Sequence, residues 1–221
     1  MAINIDAYNT ILNNTTQKNG VLVAVSKFKP LADIQVLYDL GQRDFGENFV
    51  QELVTKYEAL PKDIRWHYIG HLQTNKVKYI APFIHLIHGV DSIKLLTEIN
   101  KQAQKNNRLI DCLLQVHIAQ EETKFGFDEG EVNDLMKKLS AKDNTEFKNV
   151  SIRGLMGMAS FSEDKEKVRQ EFRKLYHLFS ANNAIPAGFN LLSMGMSGDY
   201  EIALEESSNM IRIGSLLFGA R

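Results

Sequence analysis

The sequence predicts a closed, TIM-type (β/α)8 barrel: one α/β domain spanning residues 1–221, with an extra helix at its N-terminus. Three observations predict it. Short, nearly all-apolar runs rich in β-branched residues alternate with longer stretches whose apolar residues recur every three or four positions. This strand-helix alternation comes eight times in the same order. No Pro-, Gly- or Ser-rich linker interrupts the series, and the chain has only four prolines. Strands buried on both faces pair in parallel and need helical crossovers, because tight hairpins cannot join parallel strands. A doubly wound open sheet is the rival, but eight equal units with no dinucleotide fingerprint after the first strand favour closure.

The elements follow in order. An amphipathic helix opens the chain, and VLVAVS (21–26) is a short apolar strand. Pro30 then opens a helix, PLADIQVLYDLG, which Gly41 closes. RDFGE with FVQELVTKYEAL, IRWHYIG with TNKVKYIA, and HLIHGV with SIKLLTEINKQAQ complete four units in about half the chain. RLIDCLLQVHIA pairs with EGEVNDLMKKLS, VSIRGLMGMA with a charged helix from Glu163 to about Asn182, and LLSMG with GDYEIALEES. MIRIGSLLFG supplies the eighth strand and little after it.

Composition narrows the function classes. With 26 Lys and Arg against 27 Asp and Glu, the net charge is -1, so no basic excess points to nucleic acid or an anionic membrane. The single cysteine, Cys112, lies in an apolar run, which excludes an internal disulfide framework and leaves no cysteine cluster for zinc. The first twenty residues lack the basic-then-apolar pattern of a signal peptide, and no run approaches the ~20 apolar residues of a membrane span. A cytoplasmic, metal-free protein is expected.

In such barrels the active site lies at the C-terminal ends of the strands. Lys27 ends strand one. Burial disfavours an ammonium and frees the amine to form a Schiff base with a carbonyl, although a lysine on a barrel rim can also simply reach out to water. SMGMSGD after strand seven and RIGS in strand eight offer glycine amides and serine hydroxyls where barrels often bind phosphate; the first loop could equally be a plain helix cap. Arg212 is a cation in an otherwise apolar strand and needs a partner: a buried carboxylate such as Glu47, or the ring nitrogen of an aromatic cofactor. The histidines show no ligand geometry. His67 and His71 span a strand end and a turn, while His85 and His88, three apart in a strand, point to opposite faces.

The strings AVSKFKP, FGENFVQE, WHYIGHLQTNKVK, IRGLMGM, LSMGMSGDYEIAL and MIRIGSLLFGAR resemble, in order and spacing, the pyridoxal phosphate homeostasis proteins, over essentially the whole chain. The resemblance implies a barrel like the N-terminal domain of alanine racemase, holding pyridoxal 5'-phosphate (PLP) as an internal aldimine. It makes Lys27 the Schiff-base lysine and Arg212 the partner of the pyridine nitrogen. Ser193, Gly195, Ser197, Gly214 and Ser215 would surround the phosphate, Asn48 would reach the cofactor, and His67 would take a supporting place. Ser215 stands where many relatives have threonine. Some relatives continue briefly beyond FGAR.

An arginine at the ring nitrogen donates a hydrogen bond and disfavours protonating that nitrogen, which weakens the ring as an electron sink. Two-base racemisation also needs an acid/base on the opposite face, which alanine racemases take from a further domain and a partner subunit. The expectation is a monomeric carrier or buffer of PLP in vitamin B6 and amino-acid balance, with apo PLP-dependent enzymes as possible recipients. The alternatives are a weak PLP-dependent amino-acid racemase and, more remotely, a PLP-free Schiff-base aldolase.

Overall fold

The computed structural model describes residues 3–119, 126–140, 146–182 and 188–219; Ala220 and Arg221 of the FGAR ending lie outside them. Eight parallel strands close in sequence order: β1 (Val21–Val25), β2 (Asp44–Glu47), β3 (Arg65–Tyr68), β4 (Leu86–Val90), β5 (Ile110–Gln115), β6 (Val150–Met156), β7 (Leu191–Ser193) and β8 (Met210–Ile213). The first and last pair directly, with Val23 opposite Arg212. This is the predicted barrel.

Nine helices lie among the described residues. The extra N-terminal helix is α1 (Ile5–Thr16), capped by Asn4, whose side chain accepts the Ala7 N–H. α2 (Leu31–Asp39), α3 (Val50–Ala59), α5 (Ile93–Lys105), α6 (Glu129–Ser140), α7 (Lys165–Asn182) and α8 (Tyr200–Glu205) fill the expected crossovers. One unit is shorter than expected, and the last ends, as expected, with little after its strand. TNKVKYIA forms a 3-10 turn followed by a single helical turn, α4 (Val77–Ile80), and the tail of MIRIGSLLFG forms the one-turn helix α9 (Ser215–Phe218).

Helices and strands share an outer apolar layer that includes Trp66, Phe45, Ile87, Phe172 and the wholly buried Cys112. A smaller cluster of Val23, Leu86, Leu113, Met156 and Met210 fills the barrel itself. The barrel interior is not all apolar: His67, His88, Ser193 and Arg212 are buried as well. β7 is the shortest strand and meets β8 at a single registered pair, Ser193 and Met210. Side chains complete that seam. Asn209 Oδ1 accepts the Leu192 N–H, and the Ser208 hydroxyl lies 2.7 Å from the Met194 carbonyl.

Candidate functional site

A cavity of about 430 Å³ opens at the C-terminal ends of the strands, within the size range of small-molecule sites. Lys27, Asn48, Ser197, Arg212, Gly214 and Ser215 line it, with Val25, Ile69 and Met158 as apolar wall and the fully exposed Phe161 at its edge. A groove of similar size between α6 and α7 lies away from the strand ends and holds none of the predicted residues.

Strand alternation aims Lys27. Val25 and Lys27 face the cavity, while Ser26 between them turns back to the β2–α3 side, where its hydroxyl donates to Glu47 Oε1 at 2.6 Å. Phe28 then takes a left-handed conformation, φ 62°. Lys29 reaches across to the Phe218 and Gly219 carbonyls, at 2.9 and 3.2 Å, and so ties the start of α2 to the end of α9.

Asn48, just past β2, is anchored through its carbonyl, which accepts the Tyr68 hydroxyl at 2.9 Å, and its side-chain Oδ1 is buried with no hydrogen-bond partner. Burial pushes the Tyr68 phenol up to about 12, so it stays a donor. The turn after β7 needs Gly195 at φ 100°, where a Cβ would lie 2.6 Å from that of Ala203. The turn presents Ser197 and Gly198 to the cavity, with open space over Gly198, and the Gly214 N–H donates to Ser197 Oγ at 3.3 Å. The Asp199 carboxylate is turned onto the Met196 N–H, at 2.6 Å.

Arg212 is 4% exposed, and its hydrogen bonds go to neutral oxygens: Nη1 to Ser193 Oγ at 2.6 Å and Nη2 to the Gly157 carbonyl at 3.1 Å. Burial pulls it below the ordinary guanidinium value to about 10, so it remains a cation at neutral pH. Glu47 is not its partner. That carboxylate faces α3, where it binds Lys56 at 2.7 Å, because Glu47 and Arg212 point to opposite sides of the barrel wall.

Behind Arg212 a file of polar groups crosses the barrel. Ser193 Oγ lies 3.1 Å from His88 Nδ1, His88 Nε2 lies 2.9 Å from His67 Nδ1, and His67 Nε2 lies 3.0 Å from Asp44 Oδ1. Burial holds His88 well below the ordinary imidazole value, and so neutral. Burial opposes ionisation of Asp44, but the Arg65 guanidinium and the His67 ring overcome it and hold the carboxyl well below the usual range. At the cavity end the direction is set by Arg212, which has only donors and gives one to Ser193 Oγ.

Three expected site residues therefore lie behind the cavity wall. Ser193 is wholly buried between Arg212 and His88, Gly195 shapes the turn, and His67 belongs to the file. The expectation for the histidines also changes. His85 precedes β4, and His67 packs against both His85 and His88, with ring centroids 5.4 and 5.1 Å away. One ligand atom each of Asp44, His67 and His85 falls within 4.8 Å of the others, but Arg65 already occupies that carboxylate.

The sequence pattern of the alanine racemase N-terminal domain family matches residues 3–221. The pyridoxal phosphate homeostasis protein of Aquifex aeolicus is 43% identical over 206 residues, 90% of this chain and 86% of that one. The chain belongs to this family. Its Escherichia coli member is 33% identical over 90% of this chain and 85% of that one. PipY of Synechococcus elongatus, solved without PLP, superposes with a TM-score of 0.88 at 32% identity, covering 97% of this chain and 99% of that one. PipY with PLP bound gives 0.79 at 33% identity over 90% and 92%. Alanine racemase from Bartonella henselae, at 18% identity and TM-score 0.69 over 99% of this chain and 60% of that one, shares the fold.

The sequence-based reading set His88 aside and missed Asp44 and Lys56, and with them Met158 and Phe161 at the cavity. The histidine in HLIHGV carried a signal, being polar in an apolar strand as Arg212 is in MIRIGS. Lys56 carried none, since it sits at an ordinary helical position.

Proposed function

We propose that the protein holds PLP in the cavity at the strand ends and serves as a carrier or reservoir of it, with little turnover. The carrying observation is Arg212: a buried cation, bonded to neutral oxygens, lines the same cavity as Lys27. A guanidinium so placed suits an acceptor such as a pyridine nitrogen. The Ser197 and Ser215 hydroxyls and the backbone at Gly198 and Gly214 suit the phosphate, and the orphaned Asn48 Oδ1 offers an acceptor to a hydroxyl. PipY, similar in sequence and fold, has been solved with PLP bound.

PLP supplies an aldehyde carbon and an electron-accepting ring. Lys27, which lines the cavity, would hold that aldehyde carbon through its amine nitrogen. Arg212 would donate to the ring nitrogen and disfavour a proton there, which would leave the ring a weak electron sink and mute carbanion chemistry. In this reading the protein is a cytoplasmic monomer whose recipients are apo PLP-dependent enzymes; its lone buried cysteine suits a reducing compartment.

Purified protein incubated with PLP should show a visible absorbance band, and borohydride should fix the cofactor's mass on Lys27. Lys27→Ala should lose both. A band unchanged in Lys27→Ala would sink the assignment. D-amino-acid formation from L-alanine at enzymatic rates would instead favour the racemase.

A further inference from the structure

Against the outer face of β1, away from the cavity, lies a buried ion cluster that the cofactor reading does not use. Lys56 on α3 is 4% exposed, and its Nζ donates to three oxygens: the Ser26 carbonyl at 2.7 Å, Glu47 Oε1 at 2.7 Å and Glu52 Oε1 at 2.6 Å. The same two carboxylate oxygens continue onto the end of β1. Glu47 Oε1 accepts the Ser26 hydroxyl, and Glu52 Oε1 accepts the Phe28 N–H, both at 2.6 Å. Lys27 is therefore the residue between two that the cluster grips, one by side chain and carbonyl, the other by its amide.

The grip has work to do. A side-chain-bearing residue at φ 62° is strained, and relaxing Phe28 would turn the Lys27–Phe28 peptide and swing Lys27 away from its present aim. Glu52 takes the amide of that very peptide. A buried ion cluster is a weak stabiliser next to well-packed apolar side chains, so stability alone is a poor reason for three charges here. We propose that Lys56 and Glu52, with Glu47, are positioning residues that fix the backbone on both sides of Lys27 and so aim its amine into the cavity. The inference rests on the assignment of Lys27 as the covalent anchor.

The test compares PLP with pyridoxine 5'-phosphate, which carries an alcohol in place of the aldehyde and cannot condense with an amine. In Lys56→Met and Glu52→Ala, the rate of Schiff-base formation with PLP should fall about tenfold or more, as expected for a misplaced reacting group. Affinity for pyridoxine 5'-phosphate should stay near the wild-type value. Glu52→Gln, whose amide oxygen can still accept the Phe28 N–H, should restore the rate. If Lys56→Met does not fold, the Glu52→Ala and Glu52→Gln pair decides. Equal weakening of both ligands, or a Glu52→Ala rate equal to wild type, overturns the positioning role. Failure of borohydride to fix PLP on Lys27 in the wild type overturns the anchor assignment itself, and this inference with it.

Discussion

Arg212 keeps its charge in the barrel through neutral oxygens, and the file behind it runs to Asp44 at the start of β2. Its weak point is His88. Buried and neutral when folded, His88 refuses a proton that the unfolded chain, with an ordinary value of 6.5, accepts. Below that pH the unfolded state binds more protons, so stability is full above 6.5 and falls as pH drops, by up to about 1.4 kcal/mol per pH unit for one such site. Asp44, held low, adds a loss of the same sign below its ordinary 3.8. Urea unfolding at pH 7.5 and 5.5 should show the decline, and His88→Gln should reduce it, leaving the share of His85, which burial also pulls down, to about 4; an equal slope in that variant would remove His88 as a cause. Single residues were legible where chemistry contradicts local pattern. Lys27 and Arg212 are charged groups attached to apolar strands. Ser193 looked like a phosphate ligand because strand seven ends in serine and glycine. What the sequence could not display is that His88, 105 positions earlier, meets it across the barrel.

At the scale of elements, helices and strands were legible by period, and their lengths were not. TNKVKYIA has helical spacing, yet only one α turn forms after the 3-10 segment. LLSMG has strand character, yet β7 stops after three residues because the chain must turn at Gly195 toward the cavity. The β6–β7 pairing depends on Gly154, at φ 154°, where a Cβ would lie 1.7 Å from the Leu191 carbonyl oxygen. No side chain can be accommodated without parting the strands. Gly154→Ala should therefore destabilise the fold by more than about 3 kcal/mol, measured by denaturant midpoint. A loss below 1 kcal/mol, on the order of an ordinary surface change, would mean that the strands can separate cheaply there.

For the whole molecule, closure was legible from the count of strand-helix units, since eight equal units leave no edge to protect. Which end of the barrel carries the cavity followed from the fold. How the interior is filled did not, because apolar and polar residues share it by register. Ligand binding at the strand ends touches loops from several units at once, so saturation should raise the stability of the entire barrel. At a hundredfold excess over Kd the gain is about 2.7 kcal/mol, a rise in Tm of roughly 5–10 °C for a protein of this size. PLP should produce that shift in the wild type and much less of it in Lys27→Ala; equal shifts would show that Lys27 contributes little to holding the ligand.

The lone cysteine gives the molecule a clock. Cys112 sits on β5 with no exposed surface, and burial pushes its thiol above the ordinary value, so the folded barrel shields it from alkylating reagents. Labelling at this one atom can proceed only when β5 and its covering helices part. The rate at which a thiol reagent is consumed therefore times the spontaneous opening of the barrel under native conditions, with no engineered label and no denaturant.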